Sequence, residues 1–520
     1  MKITDSRRSP FTERRPIMGS WDCCWLDGRP LSTADDWLEV LANDSLAAVR
    51  GAYALAWRDP DQPDTVSLAR DAIGERTLYF AADRAGVTLG RTVSEVLAQR
   101  DAPVRLDLAA LATYACLSYI PAPMTLVEDV RALPAGERLR VRGGIVKRER
   151  VWNAPAEQPD TDPSVARAQL RTTLERSVTR RLPDPGRQLS ASLSGGVDSS
   201  LVVALARRMH AGPMTAFSLG FGDGQPNELE HSALVAAHCG VEHQVINIVP
   251  QDVVRELDPT MSALGSPIGD PLTVPNAMLF RQAGSVVFNG EGGDPCFGGP
   301  KNVPMLLHAL YRVAGDHDDL ATAYLQAHRR GYEDLAEMLT TDVLAELPVG
   351  FLESLVRPQL VDQRWTTLTN RMMALNVTLK CADHILAKVD ALSRAAGVTP
   401  RSPLCDRDVV EMALRLPATL KLVGSDEKHL LKLAIADLVP ASILNRPKSG
   451  MRVPVVSWLS GPLLPYTRER LLDGLAPRGI VRKDYIERLL GGDDMPIRRR
   501  WLKLWMLLSL EAWLDGLRRR

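Results

Sequence analysis

Several protein classes are excluded by what this sequence lacks. Its 63 basic and 63 acidic residues cancel, so no net field draws it to nucleic acid or to an anionic membrane surface. The arginine triplets at 498–500 and 518–520 read as solvated helix ends rather than binding patches. Seven cysteines stand at 23, 24, 116, 239, 296, 381 and 405 without one Cys-x-x-Cys pair, which weakens zinc and redox readings. An odd, scattered set in a long chain fits reduced thiols in a cytosol. No apolar run is long enough to span a bilayer. The most apolar tract, Trp501 to Leu517, is interrupted by Lys503, Glu511 and Asp515 and predicts a buried terminal helix. The N-terminal stretch MKITDSRRSPFTERRP has no apolar core of a secretory signal. Internal repeats and low-complexity segments are absent. The expectation is a soluble, cytoplasmic protein without nucleic-acid or membrane partners.

What is present points to two domains, the natural division for 520 residues with 45% apolar and 24% charged content. Residues 47–58 and 66–80 read as apolar-rich strands broken by turn chemistry at Asp59-Pro60 and Gly74, and the tract from Gly136 to Trp152 as a hairpin turning at Gly143-Gly144. Residues 1–152 are therefore expected to be a strand-rich domain. The Pro- and acid-dense 153–163 reads as a linker, and 164–520 as a second domain. In the second domain, helical pattern over Ser164–Leu182 precedes an alternation. Strand-like Arg187–Leu193, Met214–Leu219, Glu242–Ile248 and Ser285–Asn289 interleave with helical Ser199–Met209 and Leu229–Cys239. That predicts an α/β fold with a doubly wound parallel sheet and ligand at its carboxyl ends. From about 303 onward the pattern is a helical extension.

Three segments carry candidate chemistry. Ser194-Gly195-Gly196-Val197-Asp198-Ser199-Ser200 lies between a strand and a helix. Glycines allow close backbone approach to a ligand, and a helix N-terminus offers free N–H groups for phosphate. The hydroxyls of Ser194, Ser199 and Ser200 add donors, and Asp198 can hold Mg²⁺. No Gly-x-x-x-x-Gly-Lys-Ser/Thr sequence is present, so this is not the usual nucleotide P-loop. The second segment, Asn289 to Pro300, is glycine-rich and offers Asp294 as a second carboxylate, but Pro295 breaks the dinucleotide fingerprint. The third, Asn445-Arg446-Pro447-Lys448-Ser449-Gly450, presents a lysine suited to charge building on a phosphate in a transition state.

The Ser-Gly-Gly-x-Asp-Ser turn resembles that of adenine-nucleotide α-hydrolases of the ATP-pyrophosphatase type. Over nearly the whole chain, GAYALAWRDPDQPDTVSLARDAIGERTLYFA, ADHILAKVDALSRAAGVTPRSPLCD and LPATLKLVGSDEKHLLKLAIADLVPASILNRPKSG resemble segments of the asparagine-synthetase superfamily. The resemblance implies an N-terminal glutamine-amidotransferase-like (Ntn-type) domain and a synthetase domain that uses ATP and Mg²⁺. It implies ATP contacts by Leu193, Ser194, Gly195, Gly196, Asp198, Ser199, Ser200, Leu219, Asn289 and Gly290. It also implies Mg²⁺ at Asp198 and Asp294 and stabilisation of transition-state charge by Lys448, with Glu291 a candidate catalytic proton acceptor beside them.

The chain also departs from that family. Lys2 stands where a glutamine-dependent member carries its nucleophilic cysteine, and no Asn-Gly-Glu-Ile-Tyr-Asn glutamine loop is found. The first domain is thus expected to be a relic that makes no ammonia. After Asp294 the family's Glu is Pro295, and its Gly-Leu-Glu-x-Arg segment is Gly397-Val398-Thr399-Pro400-Arg401, without the carboxylate. Superfamily members without the nucleophile close rings within one molecule. GEGGDPCFGGPKN and LNVTLKCADHILAKVDALS look most like the lasso-peptide cyclases. That resemblance implies ATP-dependent macrolactam formation. A side-chain carboxylate of a precursor peptide would become an acyl-adenylate, and the peptide's N-terminal amine would attack it. The implied partners are the precursor core peptide, a leader peptidase and a leader-recognition protein. The alternatives are a β-lactam- or carbapenam-type synthetase, an ammonia-using asparagine synthetase, or a catalytically dead nucleotide-binding scaffold. Glu291, Asp383 and His384 are candidate proton acceptors, and Cys296 is expected to be a buried structural thiol.

Overall fold

The structure, a computed structural model, describes residues 17–58, 62–222, 224–225, 227–299, 320–328, 330–446, 452–492 and 497–518. The N-terminal part is built on strands β1 (Ile17–Leu26), β2 (Arg29–Pro30), β3 (Arg50–Arg58), β4 (Val66–Arg70), β5 (Tyr79–Asp83), β6 (Gly86–Gly90), β7 (Arg131–Ala132), β8 (Glu137–Arg142) and β9 (Ile145–Arg150). Six of them form an antiparallel sheet in the order β2-β1-β3-β4-β8-β9, and β6-β5-β7 form a second. Alternation along β3 explains the layering. Ala54 and Ala56 face inward with Leu68, Leu139, Phe80 and Leu89, sealing sheet to sheet. Tyr53, Leu55 and Trp57 face the other way, onto Trp37 and Val40 of helix α1 (Ala34–Ala42). Thr33 starts that helix through a capping box with Asp36.

The stretch 66–80 is broken around Gly74, as expected. Asp71 halts it by accepting backbone N–H groups from residues 73 to 76, a turn that separates β4 from β5. Strand β1, whose residues show no clean alternation, was not expected at all.

After β9, residues 152–162 have no regular structure apart from a short turn. Helix α2 (Pro163–Arg181) begins on Asp162, whose carboxylate caps it, with Pro163 in the first turn where its missing N–H costs nothing. The second sheet is parallel and five-stranded. Chain order gives β10 (Leu189–Ser192), β11 (Met214–Gly220), β12 (Glu242–Asn247), β13 (Val286–Phe288) and β14 (Thr399–Arg401), and spatial order is β12-β11-β10-β13-β14. Helices α3 (Val197–Met209) and α4 (Leu229–Cys239) make the crossovers. Strand β14 lay inside a region expected to be helical. It is three residues long and contains Pro400, a residue tolerated because the strand is an edge.

The order reverses between β10 and β13, and both strands end at glycine-rich turns. This is the position at which open α/β sheets bind ligand. Beyond residue 320 the described chain is mainly helical and ends in Ile497–Arg518. No helix among the described residues is long and apolar enough to cross a membrane. The terminal helix is instead core. Trp505, Leu504 and Leu508 are fully buried, Tyr114 donates to the Met506 carbonyl at 2.7 Å, and the Trp513 indole donates to the Leu264 carbonyl at 3.2 Å.

Candidate functional site

The turn after β10 holds itself in shape. Ser194 N–H donates to Ser199 Oγ at 3.1 Å, the two hydroxyls lie 3.0 Å apart, and Ser199 Oγ donates to the Gly196 carbonyl at 3.2 Å. Gly195 takes φ +74°, and a Cβ there would sit 2.7 Å from Ser232 N, so only glycine fits. Helix α3 starts at Gly196 with no side-chain cap, leaving its first N–H groups for a ligand. Leu193 and Leu219 are buried just below, at the ends of adjacent strands. Ser200 departs from the other two hydroxyls. It is fully buried in the helix, and its Oγ makes no hydrogen bond.

The loop after β13 packs directly on this turn. A Cβ on Gly290 would lie 2.7 Å from Ser199 N, and one on Gly293 2.2 Å from Asp198 Oδ1. Glycine at these positions is what lets the two loops meet. Asn289 Oδ1 accepts from Glu291 N–H at 3.1 Å, while its buried Nδ2 has no partner. Asp198 and Asp294 converge on one ammonium, that of Lys428. Its Nζ bonds Asp198 Oδ2 and lies 2.5 Å from Asp294 Oδ1. Lys428 is 2% exposed and has φ +59°, a left-handed conformation costly for a residue with a side chain. Burial works against its charge, yet the two carboxylates prevail and hold its ammonium well above the usual lysine range.

Nothing in the sequence singled out Lys428. It sits in GSDEKHLL, which reads as an exposed turn. Two carboxylates aimed at one cationic nitrogen also form a donor set that fits Mg²⁺, and the free Asn289 Nδ2 and open helix N-terminus fit a nucleotide's oxygens.

A second charged group acts on Glu291, in the same loop as Asp294. Lys388 Nζ, on a buried residue, is 2.5 Å from Asp270 Oδ2. Burial would raise the Asp270 carboxyl, but Lys388, His384 and the Leu272 N–H overcome it and hold it well below the carboxylate range. Burial pushes the half-buried Glu291 up, Lys388 pulls against it, and Asp270, Asp294 and Asp198 push with it. Asp383 belongs elsewhere. It accepts from Arg70 at 3.1 Å and from Ala122 N–H at 3.0 Å, which makes it a tie between the domains. Cys296 is buried, as expected. Lys448 lies outside the described residues. Arg446, two residues before it in the sequence, donates to the Gly195 carbonyl at 3.0 Å and to Glu228 at 2.6 Å.

A glycine turn at the carboxyl ends of a parallel sheet, facing paired carboxylates and joined to a two-sheet N-terminal domain, defines a two-domain α/β synthetase architecture. The chain belongs to the asparagine synthase family. The family described as Asparagine synthase matches residues 169–515, and the Glutamine amidotransferase domain family matches 37–152. Enzymes of this family use ATP to form carbon–nitrogen bonds. The chain is 26% identical to asparagine synthetase [glutamine-hydrolyzing] 1 of Bacillus subtilis, over 90% of this chain and 78% of that protein. It is 28% identical to a putative asparagine synthetase of Mycobacterium bovis, over 81% and 70%. It is also 26% identical to the carboxyethyl-arginine β-lactam synthase of Streptomyces clavuligerus, over 78% and 68%.

Proposed function

We propose that this protein is an ATP-dependent, AMP-forming amide ligase that closes a macrolactam ring in a peptide, as a lasso-peptide cyclase does. ATP would lie across the 194–200 turn with its phosphates toward the start of α3, and Mg²⁺ would be held by Asp198 and Asp294. When bound, Mg²⁺ supplies charge neutralisation on the phosphates. The substrate carboxylate attacks the α-phosphorus, pyrophosphate leaves, and Lys448 steadies the charge gathering on it. Glu291, three residues before Asp294 in the same loop, is a candidate to take a proton from the attacking amine.

The observation that carries the intramolecular reading is the use made of Arg401. In the family-like Gly-x-x-x-Arg segment the carboxylate position is Thr399, and Arg401 is fully engaged. Its Nε and Nη2 bond Asp22 at 2.8 and 2.9 Å, and its Nη1 bonds the Arg181 carbonyl at 2.6 Å. A free amino acid would find neither partner there. A peptide that carries both amine and carboxylate supplies its own proximity, and effective molarities of ~10⁵ M or more replace a delivered ammonia. Its expected partners are the core peptide, a leader peptidase and a leader-recognition protein. The second reading, β-lactam formation, is favoured by the similarity to the carboxyethyl-arginine β-lactam synthase.

The test is a panel with ATP and Mg²⁺, read by mass spectrometry and pyrophosphate release: a leader-cleaved peptide, carboxyethyl-arginine, and aspartate with ammonia. Loss of one water from the peptide, dependent on a free N-terminus and one acidic side chain, is expected. Turnover of only aspartate with ammonia, or ring closure that survives acetylation of the peptide amine, overturns the cyclase reading.

A further inference from the structure

One buried polar side chain beside Lys388 has no partner in the fold. His384 is 9% exposed, and neither ring nitrogen makes a hydrogen bond. Its ring stacks on Tyr119, centroids 5.0 Å apart and planes 13° from parallel. Its Nε2 is 4.0 Å from Asp270 Oδ2, beyond hydrogen-bond reach. A buried polar group left in this state costs about 1–3 kcal/mol. Other histidines of the chain avoid that cost: His210 meets the Arg187 carbonyl at 2.8 Å and His243 the Ser218 hydroxyl at 2.8 Å. The helix bearing His384 is also wound wide, in π-helical turns over Asn376–Leu386, a distortion found most often at functional sites.

The groups around His384 define what it can receive. Asp270, Lys388, Lys380 and Arg330 act on it electrostatically, and Tyr119 covers one face. Burial, reinforced by the three cations and opposed by Asp270, holds the imidazole well below its ordinary value. It therefore stays neutral at working pH and keeps a lone pair on one nitrogen. Lys388 and Asp270 act on Glu291 as well, so His384 belongs to the same cluster as the loop carrying Asp294. The cationic surroundings disfavour an ammonium and admit a neutral amine.

We infer that His384 receives the amine nucleophile of the amide-forming step, accepting a hydrogen bond from its N–H and taking that proton as the C–N bond forms. The first proton of the substrate ammonium is lost to water before entry. The amine lone pair then attacks the acyl carbon, and the nitrogen of the adduct becomes strongly acidic. Its proton passes to His384, and the carboxylate of Asp270 faces the resulting imidazolium. The C–O bond to AMP breaks and its electron pair leaves on the phosphate. An imidazole too weak to deprotonate a free ammonium suffices at that stage. The ligand class is a primary amine. This inference rests on the amide-forming part of the proposed function and not on the peptide part.

The test uses His384→Leu and His384→Gln in the full chain, with whichever substrate of the panel above the wild type turns over. Carboxylate-dependent ATP–pyrophosphate exchange reads adenylation alone, and mass spectrometry reads amide. Exchange should stay near wild type in both variants. Amide formation should fall by about tenfold to a hundredfold in His384→Leu. It should fall less in His384→Gln, whose amide oxygen can still accept a hydrogen bond. Should the leucine variant not fold, the glutamine variant, closer in size and polarity, carries the comparison alone. Unchanged amide formation, or equal loss of exchange and amide together, overturns the assignment. A wild type that turns over none of the panel overturns it along with the amide-forming reading, whereas turnover of a non-peptide substrate with the expected split retains His384 and removes only the macrolactam.

Discussion

Arg70, at the junction of the two domains, and Lys428, at the ends of the parallel sheet, are both buried cations, yet their partners differ in kind. The Arg70 guanidinium donates to the carbonyls of Gly74, Arg76, Leu133 and Ala382 and to Asp383, at 2.6 to 3.1 Å. Four of the five acceptors are backbone, which cannot exchange for a ligand. Lys428 instead sits between two side-chain carboxylates from two glycine loops, and a divalent cation can compete for both. The interface holds further buried cations, and their partners are groups of the fold away from the glycine loops. Arg181 is held by Glu75 and Asp406, and Arg401 by Asp22 and the Arg181 carbonyl. Thr77 donates twice to Asp390, two residues beyond Lys388. The N-terminal domain braces the strand and helix on which the second site rests. Lys428 differs from these cations in that both of its carboxylates stand on the glycine loops at the ends of the parallel sheet, the position at which such sheets bind ligand.

The largest effect should come from breaking the chemical side of that comparison. Asp198→Asn and Asp294→Asn each remove one charge from the centre, and each should lower ATP-dependent turnover by ~10³-fold with the fold retained. Lys448→Ala should lower kcat by ~10²-fold with little change in KM for ATP. Steady-state kinetics beside circular dichroism check all three. Near-normal turnover in either aspartate variant would move the metal elsewhere, and a loss confined to KM for ATP would make Lys448 a ground-state contact.

Breaking the architectural side should have the opposite signature. Arg70→Leu leaves Asp383 charged and four carbonyls without donors, and should cost about 3–5 kcal/mol of stability. Urea denaturation reads it as a lowered midpoint. Residual folded protein should still adenylate, since Arg70 touches no residue of the glycine loops. A variant that keeps its midpoint but loses adenylation would erase the distinction between the two kinds of cation.

The two kinds were not equally legible in the sequence. Ser194 to Ser200 could be read because strand, glycine pair, hydroxyls and helix follow one another within a few residues. The strands of the parallel sheet could be read from short apolar runs between helical ones. Arg70 with Asp383 and Asp22 with Arg401 are pairs more than 300 residues apart, and no local pattern announces such a contact. Lys428 was hidden for another reason. A lysine after Asp-Glu in a short turn has the composition of solvated surface, and only the return of the chain beneath both glycine loops buries it. Strand β14 was missed because three residues that include a proline carry no period.

A smaller effect sharpens the comparison through pH. Lys421 is fully buried with Asn370 Oδ1 at 2.9 Å as its hydrogen-bond acceptor, and burial pushes its ammonium down to about 7. The unfolded chain keeps that proton up to about 10.5. Between pH 7 and 10.5 the unfolded state therefore binds more protons than the native one, and stability should rise with pH, at no more than about 1.4 kcal/mol per unit. Subtracting the pH profile of Lys421→Met from that of the wild type isolates this group. A difference that stays flat, or slopes the other way, would mean that Lys421 keeps its charge and has a partner to match.

The smallest effect expected is none, at Cys23 in the N-terminal domain. A glutaminase needs a thiolate, and the cysteines of β1 are poorly placed to provide one. Burial pushes the Cys23 thiol up to about 12, with Asp22 adding to the shift and Arg401 and Arg181 opposing it. The thiol donates weakly to Asp22 Oδ2 at 3.4 Å, and that carboxylate is already bonded to Arg401. Cys24 is fully buried and donates to the Ala52 carbonyl at 3.3 Å. At neutral pH a thiol near 12 is about 10⁻⁵ ionised, too little for a nucleophile. Cys23→Ala should leave ATP-dependent amide formation unchanged, and the wild type given glutamine, ATP and Mg²⁺ should release no glutamate above background. Glutamate release that disappears with Cys23→Ala would place a working nucleophile among the bracing residues, and the division between an architectural first domain and a chemical second one would fail.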